Sequence, residues 1–306
     1  MTLVHEKLNH LGIAVRTKAR CVVIGCKESV RKGSTEAPTV DFAVVLMGLN
    51  VVATRNLDVD IIDVKSAFLE APLKREDVYV MMTTDHGNTL SELDAEFEKG
   101  RLHNGKMIVK LNKALYGLRD APLRWFEHLR SVLCKLNFVQ TLSDSCLFYR
   151  VTGDARHYLL IHVDDILSFG PKESMEKFIR EIKNEFKEIT AKINPSEFDY
   201  LGMHIVRNRE KKELRITQVK YVDNIIKSCD LPDEAKPASV PWSDGKPEVG
   251  KDSGLLDPTR KSKFASVVMS MQYVSRTRPD IKLAVASGAC RLAKPTEDDW
   301  NGMLKI

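Results

Sequence analysis

Several protein classes are excluded by what this chain of 306 residues lacks. Its six cysteines, Cys21, Cys26, Cys134, Cys146, Cys229 and Cys290, form no CxxC pair and no zinc spacing with histidine. Reduced thiols are therefore expected rather than a disulfide framework or a zinc module. No apolar run approaches the roughly 18 residues of a membrane span. The N-terminus, Met1-Thr-Leu-Val-His-Glu-Lys7, has no apolar signal core, so neither secretion nor a membrane partner is expected. There is no internal repeat. The two signs nearly balance, and the net value of +5 permits an anionic partner without demanding one. What remains, 43% hydrophobic and 29% charged residues, is a globular composition long enough for two or three subdomains.

The most informative feature is a pair of adjacent aspartates, Asp164 and Asp165, inside the apolar run Tyr158-Leu-Leu-Ile-His-Val-Asp-Asp-Ile-Leu-Ser-Phe169. Carboxylates in a strand-like apolar run are costly to bury unless paired or metal-bound. Two like charges side by side raise the cost further. A divalent cation would relieve both, and carboxylate-held Mg²⁺ pairs serve polymerases and nucleases. The competing reading is structural, since Asp-Asp also suits a hairpin turn. A third acidic candidate, Asp63, ends the β-branched run Val59-Asp-Ile-Ile-Asp-Val64. Spacing alone does not bring it to Asp164.

Local patterning predicts strands over 14–25, 59–64, 146–149, 158–163 and 166–169, the last two joined at the Asp-Asp corner. Helices are expected over 40–50, 123–137, 175–186 and 219–227, with a short one after Ser66. Residues 198–206 and 213–216 read as a hairpin around the charged turn 207–212. Residues 83–106 read as a loop or a loosely folded insertion, and 232–262, with five of the twelve prolines, as a linker before a small helical tail from about Lys263. Residues 1–35 are basic in places, with Lys18, Arg20, Arg31 and Lys32. The order implies an α+β layer of helices on a mostly antiparallel sheet, suited to a split β-α-β arrangement.

A series of segments then points to one family. In order they are Lys18-Ala-Arg-Cys-Val-Val-Ile-Gly25, Thr35-Glu-Ala-Pro38, Asp63-Val-Lys-Ser-Ala-Phe-Leu69, Lys110-Leu-Asn-Lys-Ala-Leu-Tyr-Gly-Leu-Arg-Asp-Ala-Pro-Leu-Arg-Trp125, Ser143-Asp-Ser-Cys146, His162-Val-Asp-Asp165, Tyr200-Leu-Gly202, Gln218-x-x-Tyr221 and Thr277-Arg-Pro-Asp280. Together they resemble the reverse transcriptase domain of copia-type LTR retrotransposon Pol polyproteins over roughly residues 16–295.

The resemblance implies a right-hand polymerase: partial fingers in 1–35 and 70–110, a palm in 36–69 and 111–206, a thumb in 207–231, and a linker starting a connection or RNase H tether in 232–306. Asp63, Asp164 and Asp165 would be the catalytic carboxylates, holding two Mg²⁺ with the backbone carbonyl of Val64. Lys18, Arg20, Ser66, Ala67, Phe68, Tyr116 and Gly117 would bind the nucleotide, with Phe68 under the sugar, where it would clash with a ribose 2′-hydroxyl. His162, Leu201 and Gly202 would meet the primer end. Arg207, Arg209, Lys211, Lys212, Lys220 and Lys227 would track the nucleic-acid backbone. Partners would be an RNA template, a DNA primer, dNTPs and other Pol or Gag segments. The location would be cytoplasmic, in a virus-like particle or nuclear.

Two departures matter. The family usually has tyrosine where this chain has His162. Its Lys-Trp-Val-Phe-Lys fingers strand has no counterpart at the start of the chain, which reads as a piece of a polyprotein or a rearranged copy. Three functions compete: an RNA-directed DNA polymerase, a catalytically silent palm domain that binds nucleic acid or protein, and a two-metal nuclease. The nuclease would not need Phe68 or the basic residues of the fingers.

Overall fold

A computed structural model describes the chain except residues 1, 9–13, 26–34, 76, 230, 232–235, 237, 239 and 241–252. Cys26, Arg31, Lys32 and much of the expected linker lie outside the described residues, and of Lys18 the backbone alone is described. The chain forms two compact units, Met1–Pro195 and Ser196–Ile306, each taken by itself. Among the described residues no helix is long and apolar enough to cross a membrane.

The first unit begins with the antiparallel pair β1 (Thr2–Leu8) and β2 (Ala14–Cys21). Helix α1 (Phe42–Thr54) follows, its start fixed by the Asp41 carboxylate, which accepts from the Ala43 N–H at 2.7 Å. Then come β3 (Asp58–Val64), the single turn α2 (Ala67–Glu70), β4 (Tyr79–Met82), α3 (Thr84–Leu93) and β5 (Met107–Lys110), with β4 and β5 paired antiparallel. After α4 (Ala121–Lys135) the chain forms β6 (Val139–Gln140), β7 (Leu147–Thr152), β8 (Ala155–His162), β9 (Asp165–Gly170), α5 (Lys172–Glu185) and β10 (Ile189–Ile193).

The main sheet has the order β10-β3-β9-β8-β7-β6 with every neighbouring pair antiparallel. The run β3-α4-β8-β9-α5-β10 is thus a β-α-β-β-α-β unit in which β9 inserts between β3 and β8. This is the expected split arrangement, and the α+β class with an antiparallel sheet holds.

The sheet has two faces. Alternation along paired strands puts Asp60, Ile62, Ile166, Ser168, Leu159, His157 and Arg150 on one face, and Val59, Ile61, Asp63, Asp165, Leu167, Phe169 and His162 on the other. Helix α5 lies under the first face, where Phe138, His157 and Phe178 stack edge to face with centroids 5.1–5.6 Å apart. Helix α1 covers part of the second face. Its Gly48 approaches Leu160 and Phe169 so closely that an added Cβ would stand 3.0 Å from Leu160. Because α1 covers the Phe169 end of that face, the Asp63–Asp165 end is left half-open.

One expectation fails here. Residues 83–106 hold α3 and a 3₁₀ turn (Ala95–Gly100) rather than a loop. The Arg101 guanidinium ties them together, donating to Asn88, Ser91, Glu98 and the Gly105 carbonyl. A polar segment with Gly87 as its one buried helical residue carries no 3.6-residue apolar stripe to read.

The second unit opens with a three-stranded meander, β11 (Glu197–Tyr200), β12 (Met203–Asn208) and β13 (Glu213–Thr217), where one strand was expected over 198–206. Leu201 (φ +46°) and Gly202 (φ +69°) break it, since two left-handed residues turn the chain back. Helices α6 (Val219–Ser228), α7 (Pro258–Val274), α8 (Lys282–Ala289) and α9 (Glu297–Met303) follow. These are more than a small tail: Ile225 and Cys229 from the end of α6 share a core with Phe264, Val267, Val268, Val285, Trp300 and Met303. Helix α7 starts at Pro258, capped by Asp257, so the linker ends earlier than expected.

Candidate active site

Sheet register brings the predicted carboxylates together. Asp63 is the direct cross-strand partner of Asp165, and His162 is the partner of Asp165 on the other side. Val163 and Asp164 form the two-residue turn between β8 and β9, with Val163 at φ +57°. A β-branched residue resists that conformation, and two bonds hold the turn. The Trp125 indole N–H donates to the Val163 carbonyl at 2.6 Å, and the Val64 N–H donates to the Asp164 carbonyl at 3.0 Å. Trp125, buried and with its ring tilted against that of Phe186 at 5.3 Å between centroids, therefore links α4 to the acidic corner.

Electrostatics single out Asp165. Burial holds its carboxyl above the usual carboxylate range, and the charges of Asp164 and Asp63 raise it further, opposed by His162 and Lys65. The Asp63 Oδ2 atom is engaged twice: the Lys65 ammonium forms an ion pair with it, and the Thr190 hydroxyl donates to it at 3.1 Å. Sequence reading passed over both partners, although Lys65 stands inside the Asp63–Leu69 segment. Asp58 and Asp60 lie on the opposite face and cap Asn194, whose backbone N–H donates to Asp60 at 2.9 Å and side-chain amide to Asp58 at 3.0 Å.

The predicted nucleotide side is partly assembled. The Phe68 and Tyr116 rings are 5.1 Å apart, and the Arg20 guanidinium lies 5.5 Å from the Tyr116 ring centre. The Arg20 Nε is buried with no hydrogen-bond partner. Ser66 adopts φ +53° and its carbonyl accepts from Leu69 at 2.7 Å, which closes α2 as one turn behind buried Ala67. Two motifs meet where Val23 N–H donates to the Tyr116 carbonyl at 2.8 Å and Arg119 Nε to the Gly25 carbonyl at 2.9 Å. Gly117 must be glycine there: at φ +91° an added Cβ would stand 2.0 Å from the Val23 oxygen. Lys18 pairs with His5 in the β1–β2 ladder.

Leu201 and Gly202 belong to the second unit, as do Arg207, Arg209, Lys211, Lys212, Lys220 and Lys227. The Leu201–Gly202 turn is buttressed by Tyr273 of α7, whose hydroxyl donates to the Leu201 carbonyl. A Cβ on Gly202 would meet that hydroxyl at 2.8 Å. Thr277 donates to Gln218 at 2.5 Å, and the Tyr221 and Tyr273 rings are 5.1 Å apart, so the two motifs of no evident chemistry, Gln218-x-x-Tyr221 and Thr277-Arg-Pro-Asp280, prove to be structural supports. Arg209, Lys211, Lys212, Lys220 and Lys227 are exposed, as a phosphate-tracking surface needs. Arg207 is a correction: it lies inside β12 rather than in the turn and is buried at 7% exposure, because strand register points it inward.

Comparison with known proteins now decides the family. The family described as "Reverse transcriptase (RNA-dependent DNA polymerase)" matches residues 1–243. This chain belongs to the reverse transcriptase family. It is 31% identical over 303 residues to the retrovirus-related Pol polyprotein from transposon TNT 1-94 of Nicotiana tabacum, covering 94% of this chain and 21% of that protein. The retrovirus-related Pol polyproteins from transposons RE2 and RE1 of Arabidopsis thaliana are 28% and 30% identical, each over 98% of this chain and 19% of their own length. The chain thus spans about a fifth of the length of the curated relatives it matches.

A reverse transcriptase domain implies divalent metal ions. The donors fit in kind, since Asp63, Asp164 and Asp165 offer hard carboxylate oxygens with surplus negative charge at one sheet corner. Among the described residues, however, no three His, Cys, Asp or Glu side chains are arranged to enclose an ion.

Proposed function

We propose that this reverse transcriptase domain is an RNA-directed DNA polymerase that extends a DNA primer on an RNA template. The observation that carries the reading is the register pairing Asp63 with Asp165 beside Asp164, which gathers acids from two distant segments at the half-open end of one sheet face. On this reading Asp63, Asp164, Asp165 and the Val64 carbonyl would hold two Mg²⁺. Once bound, the metals supply charge neutralisation and a more acidic primer 3′-hydroxyl.

The chain's own residues position and select. Phe68, braced by Tyr116, forms the wall that a ribose 2′-hydroxyl would strike. Arg20, with its unpartnered Nε, and Lys18 neutralise the triphosphate, and Ser66, Ala67 and Gly117 line its path. His162, beside Asp165, and the Tyr273-braced turn Leu201–Gly202 meet the primer end. Arg209, Lys211, Lys212 and Lys220 track phosphates. Fingers (1–35, 70–110), palm (36–69, 111–206) and thumb (207–231) are the corresponding layout, with other Pol or Gag segments as partners and a cytoplasmic or particle-bound location.

A second reading, a silent domain that binds nucleic acid without chemistry, draws on the Lys65 ion pair and on His162 in place of tyrosine. Primer extension on an RNA template with Mg²⁺ and dNTPs separates the two. Extension is expected, with a loss of at least about 100-fold in Asp164→Ala. Duplex binding without extension in the unmodified chain would establish the silent reading instead.

A further inference from the structure

The ion pair at Asp63 carries a consequence for how the acidic corner is occupied. Lys65 and Asp63 are both partly exposed, at 36% and 31% of their side chains, so solvent ions reach the pair. Lys65 and Thr190 both act on the same Asp63 oxygen, Oδ2. The backbone around them is fixed: Lys65 N–H donates to the Glu188 carbonyl at 3.0 Å, and Thr190 is the register partner of Asp63 on β10. Only the lysine side chain, a flexible stem with a compact point charge, has freedom to leave. Its charge also acts on Asp165.

We infer that Lys65 is an internal counter-cation of the acidic corner, which a divalent ion displaces from Asp63 on binding. The inference rests on the reading of Asp63, Asp164 and Asp165 as cation ligands. A monovalent ammonium offsets one of three clustered carboxylates; a divalent ion offsets two and takes its ligands directly, so it wins the competition when present. The ammonium keeps the corner folded between occupancies, and apparent divalent affinity is reduced by the strength of the pair it must break. For a partly exposed ion pair that reduction is roughly two- to fivefold.

The test is Mn²⁺ binding to the full chain, followed by the electron paramagnetic resonance signal of free Mn²⁺, beside thermal unfolding in chelator. Lys65→Gln keeps the stem and removes the charge; Lys65→Arg keeps the charge. The expected result is Mn²⁺ binding tightened roughly two- to fivefold in Lys65→Gln and near wild type in Lys65→Arg. In chelator, Lys65→Gln should melt below wild type, and saturating Mn²⁺ should close the gap. Equal or weaker Mn²⁺ binding by Lys65→Gln overturns the inference, because the lysine would then be idle or helpful to the metal. Asp164→Ala is titrated in parallel. Were wild type to show no Mn²⁺ site that this change removes, the ligand reading itself would fall, a result distinct from a Lys65 effect of the wrong sign.

Discussion

Strand β9 places polar side chains on both faces of one sheet, and the two sites are opposites. On the α5 face Ser168 accepts or donates to His157 at 2.8 Å, His157 meets Ser174 at 3.0 Å, and Arg150 bonds Glu181 at 2.7 Å and the Leu136 and Ser174 carbonyls at 3.1 Å. Within this cluster Arg150 has Glu181 as its counter-charge, and the neutral groups complete one another. Burial, aided by Arg150, lowers the His157 pKa to about 3, which keeps the ring neutral. On the other face Asp63, Asp164 and Asp165 gather with one ammonium among them, and burial, reinforced by the like charges of Asp164 and Asp63, raises the Asp165 pKa. A satisfied buried network stabilises a fold. A surplus of one sign is a cost that a protein keeps where the charge is used.

Three measurements would break or sharpen this contrast. The largest effect is expected from Arg150→Met, which leaves Glu181 and two carbonyls without their donor; urea unfolding should show a loss of about 3 kcal/mol. A loss under about 1 kcal/mol would mean the network is ornamental.

Next is pH. His157 titrates lower folded than unfolded, so the unfolded chain binds the extra proton between its ordinary range and about pH 3. Stability is therefore lost as pH falls through that window, by about 2 kcal/mol between pH 7 and 5 from this residue. Thermal melts of wild type and His157→Gln across that range should converge on acidification; parallel curves would contradict a buried neutral imidazole.

The smallest effect, of opposite sign, is expected from Asp165→Asn in chelator. The folded pKa of Asp165 is raised, so its ionisation costs stability as pH rises through that value, and removing the charge should raise the neutral-pH melting temperature slightly. That gain should vanish at pH below the ordinary carboxylate range. A lower neutral-pH melting temperature would show that the like-charge cost has been misjudged.

Much of this was legible in the chain. The apolar run interrupted by Asp164-Asp165 gave a hairpin, although its turn is Val163-Asp164 and Asp165 opens β9 rather than sharing the corner. The stripes of α4 and α5 were visible because one face of each is apolar. Helix α3 was not, since its sides are polar nearly all round. Arg207 was misread because a charged cluster looked like one turn, whereas β12 takes in the first two residues of that 207–212 stretch and register buries the Arg207 side chain. The roles of Tyr273, Thr277 and Gln218 were hidden, since each contacts a residue far away in sequence.

By itself, then, the sequence determined local periodicity, a hairpin turn at the acidic pair to within one residue and the ordered motifs that place the chain in its family. Only the tertiary structure decided that Asp63 faces Asp165 across roughly 100 residues of intervening chain, that Trp125 holds the turn and that Lys65 reaches Asp63. The physical reason is range. Periodicity and turn propensity act over a few neighbours, whereas register between β3 and β9 is set by how two whole faces of the sheet bury against α1 and α5.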